Sequence, residues 1–286
     1  MTTERPVPAT SLRRRADRIT TASITIAALV TVASMCGLFT GWPYRLETEN
    51  WLLQARGQDI GNLLAVIVLV TAALRMRRGS HRATQVWIGA QFYLLYAYIV
   101  YAFAVHLNAL FLVYVAILGL VTFSLLAVLP AHLHLDRADA HRRGGRFAGG
   151  VLIGTGVLFA LLWFSELLPA LFSGQIPESL ELAGLIVNPV HVIDLSVVLP
   201  GMIVVGALGI RRIPPGTALT LPLLVFSTLM ALSIVAAMIL ITITGHDGTL
   251  APAILVTAVA GINVTAATIL TRSPRNRGSE AEPSTP

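Results

Sequence analysis

The residues best suited to chemistry lie in the run NPVHVIDL at positions 188–195. His191 and Asp194 stand three apart, so a helix puts them on one face about one turn from each other. Such a pair suits a proton acceptor oriented or charge-tuned by a carboxylate. With His106 added, the set His106, His191 and Asp194 would supply three ligands to a divalent metal and leave a position open to water. The same two residues would also stabilise a helix start, because a carboxylate in the first turns complements the helix dipole. Asp59 and Asn62 open another apolar run, and Glu166 closes a third. His246 and Asp247 form a further short turn. If these ends converge, they make a polar pocket.

A second concentration is the run QFYLLYAYIVYAFAVHLN, which is rich in tyrosine. Tyr93, Tyr96 and Tyr101 fall within one helical arc and lead towards His106. Buried tyrosine hydroxyls seek partners, so this arc would line a polar path or bond to neighbouring helices. Pro200 and Gly201 are hinge candidates. Proline cannot donate to residue 196 and clashes with that carbonyl, so a kink is expected there, with the Ser196 hydroxyl near the freed group. His132, His134 and His141 sit among Asp and Arg and read as a solvated loop.

These residues have to be positioned by apolar helices. The chain has 286 residues, of which 55% are hydrophobic and 12% charged. A soluble domain would carry about 25% charged residues. About 20 mostly apolar residues span a bilayer. Eight runs approach that length, at 20–41, 60–76, 85–105, 109–129, 148–168, 189–210, 217–243 and 249–271. The second is short and could extend back through Asp59. Asn188 followed by Pro189 is a strong start signal for the sixth. The expected fold is therefore an all-α integral membrane helical bundle of about eight transmembrane helices. The tails 1–18 and 272–286 are polar and read as disordered.

Arginine gives the orientation. There are 20 Arg and no Lys, and all but Arg45 and Arg56 fall in 1–18, 75–82, 137–146, 211–212 and 272–277. Alternate gaps between spans thus carry the positive charge, which places both termini in the cytoplasm. The outer side then holds eight carboxylates (Glu47, Glu49, Asp59, Glu166, Glu178, Glu181, Asp194, Asp247) against two arginines. An acidic mouth would concentrate cations, although any outer face looks acidic once arginine is confined to the inside. The net charge of +6 sits at membrane borders, so it speaks for the lipid bilayer and not for nucleic acid.

Several classes are excluded. Without lysine there is no Walker A loop and no Schiff-base lysine. Neither H-E-x-x-H nor G-x-S-x-G occurs. The single cysteine, Cys36, lies in an apolar run and can form no internal disulfide. No cofactor is implied.

The two halves carry matching marks. Asp194 follows Asp59 by 135 residues, and Arg212 follows Arg77 by the same interval. A 4+4 parallel repeat would produce this, as would positive-inside spacing alone. The segments WLLQARGQDIGNLL, HLNALFLVYVAILGL and NPVHVIDLSVVLPG, with the tyrosine-rich span, resemble an uncharacterised family of bacterial multi-pass integral membrane proteins. The resemblance covers most of the helical body and implies no activity. Ceramidase-like hydrolases also use intramembrane His and Asp, but their H-x-x-x-H pair is missing.

The expected function is binding or transport of a small solute or ion through an outer-facing polar pocket of a plasma-membrane protein. The candidate residues are His191, Asp194, His106, Asp59, Glu166, Tyr93, Tyr96 and Tyr101. Two alternatives stand beside it. One is an intramembrane enzyme acting on a lipid or quinone. The other is an assembly or sensory subunit within a membrane-embedded homo- or hetero-oligomer.

Overall fold

A computed structural model describes residues 9–135, 144–245 and 250–272. Residues 1–8 and 273–286 of the tails, together with His141, His246, Asp247 and the side chain of His134, lie outside the described residues, and residues 9–18 of the first tail are helical. The elements are α1 (Ala9–Phe39), a 3-10 turn (Trp42–Tyr44), α2 (Glu49–Met76), α3 (His81–Ala104), α4 (Phe111–Leu135) and α5 (Gly145–Ser173). They continue with α6 (Glu178–Ala183), α7 (Pro189–Ile193), a π-helical turn (Asp194–Val198), α8 (Leu199–Ile210), α9 (Pro214–Ile243) and α10 (Leu250–Arg272). No strand occurs among the described residues. The chain forms an all-α bundle, and among the described residues eight segments are long and apolar enough to cross a membrane, α7 to α8 counting as one.

Local signals explain three of the helix starts. The Thr48 hydroxyl accepts the Trp51 N–H, Ser80 accepts from Ala83, and Asn188 accepts from Val190 ahead of Pro189. Each bond satisfies an amide that the helix leaves open. The sixth span runs Pro189–Ile210, as the sequence indicates.

Two boundaries differ from expectation. α2 begins at Glu49, roughly three turns before position 60. Its polar first half is covered by protein: the Trp51 indole donates to the Ala104 carbonyl at 2.7 Å, and Gly57 lies against Ala237 of α9. Asp59 therefore sits well inside a helix and does not open one. α4 carries on through Pro130 to Leu135, which brings His132 into the bundle. His132 is buried, its Nε2 lies 3.1 Å from the Ala218 carbonyl, and its ring packs near His81. It does not belong to a solvated loop.

Successive spans run antiparallel. Asp17 of α1 pairs with Arg77 just past α2 at 2.9 Å, and Gly144 at the start of α5 lies against Ile269 near the end of α10. One end of the bundle thus collects Arg77, Arg146, Arg211 and Arg272 and is the arginine-rich end. The other holds Arg45 and the 3-10 turn. α1 packs on α2 and α4, and α3 packs on both of these. In the second half α5 packs on α8 and α10, and α9 packs on both. The halves meet where α9 lies against α2 and α3. Small residues allow the closest crossings. A Cβ on either Gly149 or Gly206 would come 2.6 Å from the carbonyl oxygen of the other, so α5 and α8 touch backbone to backbone.

Candidate functional site

The candidate residues separate into two buried clusters on either side of α3, with His106 apart from both. The first is built on the sixth span. Proline at position 200 has no N–H to continue the helical ladder. The chain accommodates this one turn earlier: the π turn widens the helix, and the Leu199 N–H donates to the Asp194 carbonyl. π turns of this kind occur often at functional sites. The Ser196 hydroxyl donates to the Val192 carbonyl at 2.5 Å, one turn before the carbonyl that Pro200 frees. A side chain at Gly201 would meet open space.

His191 and Asp194 are both buried and converge on Trp163 of α5. The indole N–H of Trp163 donates to Asp194 Oδ2 at 2.9 Å, and the Trp163 and His191 rings lie 4.6 Å apart. His191 Nε2 stands 3.8 Å from Glu166 Oε2, too far for a hydrogen bond but close enough for charge attraction. Glu166 also accepts a hydrogen bond from Ser179 of α6. The Tyr96 hydroxyl makes no hydrogen bond of normal geometry, yet it lies in the field of Asp194. Asp194 opens onto a cavity of about 50 Å³ whose other polar walls are Thr155 and Ser227, the rest being apolar. That volume would hold a water or a small ion.

The second cluster surrounds Asp59, which is 2% exposed. Tyr44 donates to Oδ2 at 2.8 Å and Tyr101 to Oδ1 at 2.9 Å, one phenol on each carboxyl oxygen. A Cβ on Gly37 would lie 2.1 Å from Asp59 Oδ2, so only glycine leaves room for the carboxyl. Tyr98 and Tyr114 pack their rings against Tyr101. Deeper in the bundle, Gln58 donates to the Tyr93 hydroxyl at 2.6 Å, Ser233 of α9 donates to Gln58 at 3.4 Å, and Asn62 donates to Ser34 at 3.4 Å. Tyr44 precedes α2 in the 3-10 turn. Burial, and then the neighbouring Asp59, push its phenol well above the usual tyrosine range, so it remains a donor.

The tyrosine arc of α3 is therefore divided. Tyr93 and Tyr101 serve the Asp59 cluster, and Tyr96 faces Asp194. Neither Asp59 nor Asp194 has a cationic side chain within 4.0 Å among the described residues.

His106 joins neither cluster. It follows the end of α3, where Glu47 binds its backbone N–H at 2.7 Å and its Nδ1 at 3.0 Å. Asn108 beside it caps α4 by accepting the Leu110 N–H. The metal set His106, His191 and Asp194 does not assemble, and no group of three metal-ligating side chains converges among the described residues. The physical reason is connectivity, since the short turn into α4 holds His106 at the arginine-poor surface.

Sequence reading missed Trp163, Tyr44 and Gln58. Trp163 was within reach, standing one turn before Glu166 on the same helix face. Tyr44 carried no such signal, because its bond to Asp59 depends on how the chain turns between α1 and α2. Set against protein-family models, curated proteins and solved structures, the chain matches none of them.

Proposed function

We propose that this multi-pass membrane protein binds and transports a small solute or ion, taking up a cation or proton at the buried aspartates Asp194 and Asp59. The setting of Asp194 carries the reading. Its carboxyl lies in an apolar span, receives a hydrogen bond from one neutral indole, and faces a small cavity without a protein cation beside it. An ionisable group within the hydrocarbon layer is costly and is retained where a path or site needs it. Its charge is answered from outside the chain by a mobile cation, a proton included. Asp59, on the other face of α3, likewise accepts from neutral donors, here two phenols, with Arg56 in its wider field.

Around Asp194, the nearby His191 and Glu166 give the entering cation a second stopping point towards the arginine-poor end. The arginine distribution supports an arginine-rich end in the cytoplasm of a bacterial plasma membrane, which would make this an outer-facing site. The test is flux into proteoliposomes, with a pH-sensitive dye for protons and isotopes for alkali cations and small amines. Asp194→Asn should abolish flux while protein levels stay normal. Equal flux through wild type, Asp194→Asn and empty vesicles, for every one of these probes, would overturn the reading.

A further inference from the structure

Away from both aspartates, the arginine-poor end holds a cavity of about 300 Å³. Two connections build it: Trp42, Arg45 and Leu46 come from the turn between α1 and α2, and His106, Asn108 and Ala109 from the turn between α3 and α4. Its polar character is cationic. Arg45 is exposed and has no carboxylate within 4.0 Å among the described residues. Glu47, two residues beyond Arg45, does not line the cavity. Its side chain is 2% exposed and both its oxygens are engaged by His106. Because Glu47 accepts from Nδ1, the Nε2 of the His106 ring is left to meet a ligand, and it donates to an anion when the ring is an imidazolium.

We propose that this cavity binds the phosphate group of an anionic ester. Arg45 makes the principal contact, through a guanidinium fork that matches phosphate oxygens. His106, as its imidazolium, donates from Nε2 and completes the anion's surroundings. Trp42, Leu46 and Leu107 form an exposed apolar rim at the ends of the spans. That rim suits a phospholipid headgroup whose acyl chains continue along the bundle, since aromatic and Arg side chains favour this depth. A soluble phosphate monoester offers the same chemistry without the chains.

Native mass spectrometry of the full-length protein in detergent tests this. The probes are phosphatidylglycerol, a neutral galactolipid of equal chain length, and glycerol 3-phosphate as competitor. Wild type should retain phosphatidylglycerol in preference to the galactolipid. Arg45→Gln should weaken retention about tenfold, the usual consequence of losing one charge-assisted bond, and Arg45→Lys should restore part of it. Displacement by glycerol 3-phosphate at comparable concentration assigns the site to a soluble ester, and its failure assigns it to the lipid. Equal retention of both lipids by wild type, or undiminished retention by Arg45→Gln, overturns the proposal. The Arg45 side chain is exposed and makes no hydrogen bond to either aspartate cluster among the described residues, so a failure here leaves the transport reading to its own experiment.

Discussion

Trp163 holds Asp194 by a single indole hydrogen bond of 2.9 Å, the only hydrogen bond to that carboxyl with normal geometry among the described residues. Trp163→Phe keeps an aromatic ring against His191 but removes the donor. A buried oxygen left without its partner costs about 1–3 kcal/mol. We expect thermal unfolding in detergent to fall accordingly. The same substitution in an Asp194→Leu background should cost clearly less, and equal costs in both backgrounds would show that the bond contributes nothing.

Gly37 is the space that Asp59 occupies. A methyl group there would meet Asp59 Oδ2 at 2.1 Å and the Tyr44 hydroxyl at 2.7 Å. Gly37→Ala should therefore destabilise by about 1–3 kcal/mol through overpacking. Asp59→Ala on top of it should recover part of the loss. Unfolding midpoints of the four proteins form the cycle, and an unchanged midpoint for Gly37→Ala would refute the close packing.

Tyr44 predicts an alkaline signature. Its phenol titrates higher in the folded protein than in the unfolded chain, because burial and Asp59 oppose the phenolate. The stability it contributes is fully present below the unfolded value of about 10 and is lost as pH rises through the folded one. Wild type should lose stability above about pH 10 more steeply than Tyr44→Phe. Parallel curves for the two proteins at high pH would contradict this.

The crossing of α5 and α8 is limited by backbone contact at Gly149 and Gly206. Gly206→Leu should push the helices apart and cost about 3 kcal/mol or more, measured as a lower unfolding midpoint and lower yield. Gly150→Leu, one residue along α5 where a side chain meets open space, should change stability little. A similar penalty at both positions would mean that the contact is not specific.

Legibility followed how local each feature is. Asn188 and Pro189 announce their helix from adjacent residues, and the span they start was read to its last residue. The start of α2 was not readable, because Gln54, Arg56, Gln58 and Asp59 look like a loop until Trp51, Gly57 and Asp59 are seen covered by α3, α9 and the 3-10 turn. His106, His191 and Asp194 all lie towards the arginine-poor end, as alternation of the spans requires. Sharing an end did not make them neighbours, since lateral position in a bundle depends on which helices pack together.

Composition and arginine spacing alone determined that this is an all-α, multi-pass membrane protein, because hydrocarbon admits only long apolar segments whose backbone bonds are satisfied internally. The residue types also determined which groups could do chemistry. Only the tertiary structure decided their partners: Trp163 for Asp194, Tyr44 and Tyr101 for Asp59, and Glu47 for His106. Each bond joins residues from different helices or turns. Helix periodicity states which face a side chain occupies, but the close approaches at Gly37, Gly57, Gly149 and Gly206 decide what that face meets.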